Sequence, residues 1–274
     1  VEFPVNLPLS WLGFPKQRTQ IFPQNSQQAS FGDEFDYAML DIDLGRGAFV
    51  EVALLHRASR TLLVTDTVLA IRQEPPAIAR LDPYPLLFHA RDSATEAIKD
   101  SEANQRKGWQ RIALLAVYFR PATLEPIKLW QAVREALKAP DRSKKAYFGL
   151  LPWRSQGDWQ YSFAALRSDG RPFVAPVLQT LILPQAPQQV IEWVNQVSAW
   201  DFCQIIPCHF DAPIAATPLQ FRQALTFLKQ HSTGGESYSR SSNLALPAAD
   251  VAFIEQLEAK LLEWEIAKPP KEKL

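Results

Sequence analysis

The chain has 274 residues, 47% of them hydrophobic, with 29 basic and 29 acidic side chains. That is enough to bury one large core or two modest ones. A formal net charge of zero argues against a general binder of nucleic acid or of anionic membranes, since either would show a basic excess.

The longest apolar run, IALLAVYF at 112–119, is bounded by Arg111 and Arg120 and falls far short of the ~20 residues of a membrane helix. The start, VEFPVNLPLSWLGFP, lacks a basic segment and is broken by prolines, so no secretory signal is expected. It also lacks an initiator Met, which leads to the expectation of a processed chain or a piece of a longer one. Cys203 and Cys208 make no disulfide framework. If the residues between them are extended, their Cα atoms lie roughly 16 Å apart, too far to bridge. Their odd spacing places the side chains on opposite strand faces, which disfavours a shared metal. A reducing compartment such as the cytoplasm is the expected setting.

Residues 1–34 are rich in Pro, Gln and Ser and read as irregular lead-in. From Phe35 the pattern turns to strands: FDYAMLDI, a glycine-bearing turn LGRG, FVEVALLH at 49–56, then TLLVTDTV at 61–68 after the polar connection RASR. Two β-rich runs joined by four residues predict a hairpin. The nearly continuous apolar runs VALL and LLV predict burial on both faces.

RQEPPAIARLDPYPLLF is punctuated by prolines and reads as irregular. TEAIKDSEANQRKGWQRIALLAVYF and EPIKLWQAVREALKA read as helices, the second with Leu129, Val133 and Leu137 at four-residue spacing. DRSKKAYFGLLPWRSQGDW reads as a loop with a basic cluster, and FVAPVLQTLIL at 173–183 as strand or buried helix. PQQVIEWVNQVSAW carries Val190, Val194 and Val197 on one helical stripe, with Pro187 near its start. The strand QIIP follows. A helix capped by Thr217, with Pro218 at its first position, comes next. HSTGGESYSRSSN opens a linker taken over 231–247, and 248–274 reads as a final helix and polar tail.

Two features stand together: a hairpin whose second strand ends at Asp66 (TLLVTD), and a helix–strand unit ending at His209 (IIPCH) before another helix. This resembles the second half of the metallo-β-lactamase fold, where a hairpin ends in a metal-bridging aspartate and a later strand ends in a Pro-Gly-His ligand turn. Thr65-Asp66-Thr67 stands where that family has Gly-Asp-Thr or Gly-Asp-Ser, and Cys208 replaces the glycine before the histidine. The runs NLPLSWLGFPKQRTQ, SRTLLVTDTV, LDPYPLLFHARDS, KAPDRSKKAYFGL and IIPCHFDAPIAATPLQFRQA are similar to an uncharacterised cyanobacterial and plastid family of distant metallo-β-lactamase relatives. The resemblance implies an α/β fold, a portion of an αββα sandwich over 35–230. A helical, Pro-rich insertion interrupts it at about 70–183. It brings no established activity.

In the broader superfamily, two close metal ions activate a bridging water and stabilise the oxyanion formed on attack. Imidazole and carboxylate suit zinc, and iron also. Such a binuclear site uses a His-x-His-x-Asp-His cluster and two more histidines. This chain has four histidines, His56, His89, His209 and His231, none of them in such a cluster. The segment DIDLGRGAFVEV, where a third ligand motif would lie, has none. Asp66 and His209 remain as candidate ligands, with Asp211 as a possible substitute, so a degenerate site is expected.

The plainer alternatives stand beside these. His209 alone reads equally as a histidine donating a hydrogen bond at a sheet end, and Asp66 as an ordinary strand-end aspartate. His56 and Arg57 read as an exposed polar pair at the hairpin. His89, with Tyr84, Arg91 and Asp92, forms a polar cluster that either lines a pocket or is packed away. Arg142, Lys144 and Lys145 suit an anionic ligand or a solvated loop. Trp193, Trp200 and Trp264 sit at helical packing positions, while Trp153 and Trp159 fall in loops that suit an interface.

The leading expectation is a non-catalytic or weakly metal-binding protein of metallo-β-lactamase ancestry, acting by binding a protein or a small molecule. A metal-dependent hydrolase completed by ligands upstream or in another chain is the competing reading. An assembly factor in photosynthetic cells, using its tryptophan-bearing loops, is a third. A half-sandwich would leave an unpaired sheet edge, at which a homodimer can form.

Overall fold

The computed structural model describes residues 10–23, 25–44, 47–228 and 245–264. The predicted linker, with His231, and the polar tail lie mostly outside them. The chain divides into two compact units, one made of Val1–Ala70, Pro172–Asn243 and Glu255–Leu274, the other of Ile71–Arg171 with Leu244–Ile254. It is a mixed α/β protein in which, among the described residues, no helix is long and apolar enough to cross a membrane.

The first unit is built on a five-stranded sheet in the order β1-β2-β3-β6-β7. Strands β1 (Phe35–Asp43) and β2 (Ala48–His56) form an antiparallel hairpin, and β2 pairs antiparallel with β3 (Thr61–Val64). The RASR connection closes that second hairpin, with Arg60 at φ 51 and its N–H donating to the Arg57 carbonyl. Arg57 is more than an exposed polar residue. Its guanidinium clasps the Asp36 carboxylate at 2.8 and 2.9 Å and donates to the carbonyls of Asp33 and Gly32, tying the start of β1 to the hairpin. His56 meets Ser59 at 2.7 Å.

In β1, Ala38, Leu40 and Ile42 are buried while Met39, Asp41 and Asp43 are exposed. In β2, Val50 is exposed. Burial on both faces was expected from the apolar runs. Within VALL and LLV no residue is exposed: Ala53, Leu55, Leu62 and Val64 are buried, and Val52, Leu54 and Leu63 partly so. Strand β1 alternates with a period of two and carries its exposed residues on one face of the sheet.

Helix α5 (Pro187–Ser198) covers the other face. Val190, Val194 and Val197 turn inward as their spacing predicts, and buried Trp193 donates its indole N–H to the Ala38 carbonyl at 3.1 Å. Strand β6 (Gln204–Pro207) lies parallel to β3, and the two-residue β7 (Ile214–Ala215) pairs antiparallel with β6. Helix α6 (Pro218–Ala224) starts at Thr217, whose hydroxyl and the Gln220 side chain form a reciprocal capping box. The 173–183 run is neither a strand nor a regular helix. Phe173 bridges to Leu69, and Leu178–Ile182 forms a π-type helical turn.

The second unit holds α1 (Tyr84–Ala90), α2 (Glu102–Tyr118), the ribbon β4 (Leu124–Pro126) and β5 (Trp153–Ser155), α3 (Leu129–Ala136) and α4 (Trp159–Arg167). The proline-rich run is not irregular throughout. It becomes helical at Tyr84 because Pro85 falls in the first turn, where a missing N–H costs nothing. Helix α2 starts seven residues later than the apolar pattern suggests, where Ser101 caps it by accepting from Asn104 N–H. It crosses α1 so closely that a Cβ on Gly108 would sit 1.7 Å from the Leu86 carbonyl oxygen. Trp159 does not belong to an exposed loop, since it opens α4 and is buried.

The last helix, α7 (Ala248–Glu263), begins in the second unit, where buried Asp250 accepts from Ala122 N–H. Trp264, expected to pack, is exposed.

Candidate functional site at the strand ends

The parallel β3–β6 pair fixes the site. Thr61 is level with Gln204, Leu62 with Ile205, Leu63 with Ile206 and Val64 with Pro207. Continuing that register two residues beyond the strand ends brings Asp66 level with His209. Their side chains meet there, with His209 Nε2 3.0 Å from Asp66 Oδ1 and both groups about half exposed. A core histidine buried at the strand tip is therefore excluded. The backbone cooperates: Cys208 N–H donates to the Thr65 carbonyl, and Asp211 N–H to the Ala70 carbonyl. Phe210 takes φ 66, which turns the chain sharply after the histidine.

Asp66 owes its position to a residue that sequence reasoning passed over. Glu51, on β2, is fully buried, and its carboxylate faces the turn that follows β3. One oxygen accepts from Thr65 N–H and Thr65 Oγ1–H, both at 2.6 Å. The other accepts from Asp66 N–H at 3.0 Å and Thr67 N–H at 3.2 Å. Three successive backbone N–H groups thus point at one carboxylate, an anion nest of the kind that tight turns form. This ends β3 at Val64, four residues before the apolar run suggests, because those N–H groups turn away from the sheet. The signal in the sequence is an acidic residue at an inward position of an otherwise apolar strand.

Asp211 does not join Asp66 and His209 as a third donor. Among the described residues no group of three or more His, Cys, Asp or Glu side chains is placed to hold a metal ion. Zinc in a catalytic site takes three protein ligands and a water, so the two donors found among the described residues fall short of a catalytic zinc set. Cys203 and Cys208 are both free and exposed.

The second predicted cluster is split. His89, Tyr84 and Arg91 gather around Phe88. His89 stacks on Trp153 with centroids 5.6 Å apart, and the Arg91 guanidinium lies 4.5 Å above the Phe88 ring. Burial, reinforced by the Arg111 and Arg91 charges, pushes the His89 imidazole down to about 4. Tyr84 donates its hydroxyl to Asp141 and carries the Lys145 ammonium over its ring. Desolvation and the Asp141 charge raise its phenol above the usual range. Asp92 faces elsewhere, engaged by Arg111 at 2.6 Å and Lys107 at 2.8 Å. Arg111 also donates to the carbonyls of His89, Ala90 and Arg91, closing the end of α1.

An α/β protein with a mixed sheet and an Asp–His pair just beyond the ends of its parallel strands is the class these observations define. The chain matches, over residues 1–227, the family described as Domain of unknown function (DUF4336), and it belongs to that family. No curated protein and no solved structure matches it.

Proposed function

We propose that the protein is a metallo-β-lactamase-like binding protein whose ancestral metal site has degenerated, and that it acts on a protein or small-molecule ligand without catalysis. The observation that carries this is the Asp66–His209 pair. Its two members occupy the strand-end positions that the resemblance assigns to metal ligands, yet they engage each other directly. A metal would have to displace that 3.0 Å contact with only two donors supplied by the described residues.

The test is metal content by elemental analysis of protein purified without chelator, beside Asp66→Ala and His209→Ala. Folded wild type carrying no more zinc or iron than either variant is the expected result. Near-stoichiometric metal that both variants lose would overturn the degenerate reading. It would favour a metal-dependent hydrolase whose other ligands come from residues beyond those described or from another chain.

A further inference from the structure

Helix α3 forms where its periodicity predicts, but its apolar stripe faces solvent. Ala132 and Ala136 turn inward and are buried, while Leu129 is 76%, Trp130 62%, Val133 46% and Leu137 68% exposed. At about 100° per residue these four side chains share one arc of roughly 100°. The helix packs through its small residues and leaves its large ones uncovered. Just beyond its end, Tyr147 and Phe148 are also exposed, at 63% and 64%. Both hold positive φ, 49 and 58, which is costly for bulky aromatic residues. Gly149, at φ +84, clamps that turn to the end of the helix, since a Cβ there would meet Ala139 Cβ at 2.8 Å.

The surroundings are basic although the chain as a whole is neutral. Lys128, Arg134, Lys138, Arg142 and Lys144 are exposed, and none has an acidic partner among the described residues. The two acids of this stretch are engaged, Glu135 by Arg154 and Gln131, Asp141 by Tyr84 and Ser143. The overall charge, which argued against anionic membranes, conceals this local excess.

We infer that α3 and the Tyr147–Phe148 turn form a surface that docks on a membrane carrying anionic lipid. Leucine, tryptophan and aromatic side chains on one arc, rimmed by cations, are the makings of a helix lying in the lipid interface. The lysine stems reach past the apolar arc to lipid phosphates. A protein partner fits less well, because lysine is depleted in protein interfaces relative to the rest of a protein's surface. Attachment is peripheral, by one short helix and one turn.

The test is flotation of the full chain with vesicles of phosphatidylcholine mixed with phosphatidylglycerol, and with phosphatidylcholine alone. Binding to the mixed vesicles, weak on the neutral ones and reduced by added salt, is expected. The double variant Leu129→Glu, Trp130→Glu should bind about tenfold more weakly or worse, at an unchanged melting temperature because both side chains are exposed. Lys138→Gln with Lys144→Gln should bind less and lose part of the salt dependence. Failure of the wild type to float with mixed vesicles would overturn the inference. So would variants that bind like the wild type. A concentration-dependent dimer in light scattering, abolished by the glutamate variant, would assign this face to a second copy instead.

Discussion

Asp66 and His209 stand at the same offset of 143 residues that pairs Thr61 with Gln204, and at that offset their side chains meet at 3.0 Å. The parallel register of β3 and β6, set by a few apolar residues, therefore carries two polar groups to one point with no contact of their own required. With both partners about half exposed, solvent screens the pair, and exposed ion pairs contribute about 0–1 kcal/mol. Asp66→Asn and His209→Ala should each shift unfolding by less than about 1 kcal/mol. Urea denaturation of both variants checks this. A loss several times larger in either would mean that the pair is a structural element of the turn rather than a binding site resting on it.

Glu51 is the opposite case. Its carboxylate is buried and accepts four hydrogen bonds from Thr65, Asp66 and Thr67. Hydrogen bonds to a charged group contribute roughly 1.5–3 kcal/mol each, and donors left buried without a partner cost more than the bond was worth. Glu51→Gln should destabilise by about 2–4 kcal/mol, and Glu51→Ala by more. Amide hydrogen exchange offers a local readout, in which the N–H groups of Asp66 and Thr67 should lose protection ahead of the β1–β2 hairpin. Equal loss throughout the sheet would show that Glu51 acts on global stability and not on the turn that presents Asp66.

What the sequence made legible follows from how local each interaction is. The Thr217 cap, the Val190-Val194-Val197 stripe and the two strand ends rest on near neighbours along the chain, and periodicity exposes them. Glu51 meets partners 14 to 16 residues away, through backbone N–H groups that no side-chain pattern records. A pattern of apolar residues treats its charge as an outward interruption. In α3 the same periodicity marks a stripe correctly and leaves its direction open, because a 3.6-residue repeat says which side chains share a face but not what that face meets. The Tyr84–Ala90 helix was hidden by its prolines, whose meaning depends on whether they fall in the first turn or later.

Gly108 marks the closest approach in the second unit. A Cβ there would lie 1.7 Å from the Leu86 oxygen and 2.5 Å from its carbonyl carbon, both backbone atoms that no rotamer change can move aside. Gly108→Ala gains helix propensity of about 1 kcal/mol. The forced separation of α1 and α2 should outweigh it, giving a net loss of about 2–3 kcal/mol. Thermal melting of the variant measures the balance, and a rise in melting temperature would mean that the two helices part at little cost.

His89 supplies a pH dependence whose sign can be worked out. Its imidazole titrates at about 4 in the folded protein, chiefly because it is buried, with the Arg111 and Arg91 charges adding to the effect. An unfolded histidine titrates near 6.5. Between those values the unfolded chain takes up a proton that the folded chain refuses, so the contribution is full above about pH 6.5 and is lost as pH falls through 4. The whole window is worth at most about 3 kcal/mol. The carboxylates of Asp36, Asp82, Asp92 and Asp141 are held below their ordinary range by their partners, Asp92 despite its desolvation, so their contributions fade at lower pH. His89→Phe keeps the stack on Trp153 and removes the titration. Urea midpoints at pH 7, 5.5 and 4.5 should fall less steeply in this variant than in the wild type. Parallel profiles would show that the imidazole titrates alike in the folded and unfolded chain and that its burial does not disfavour the proton.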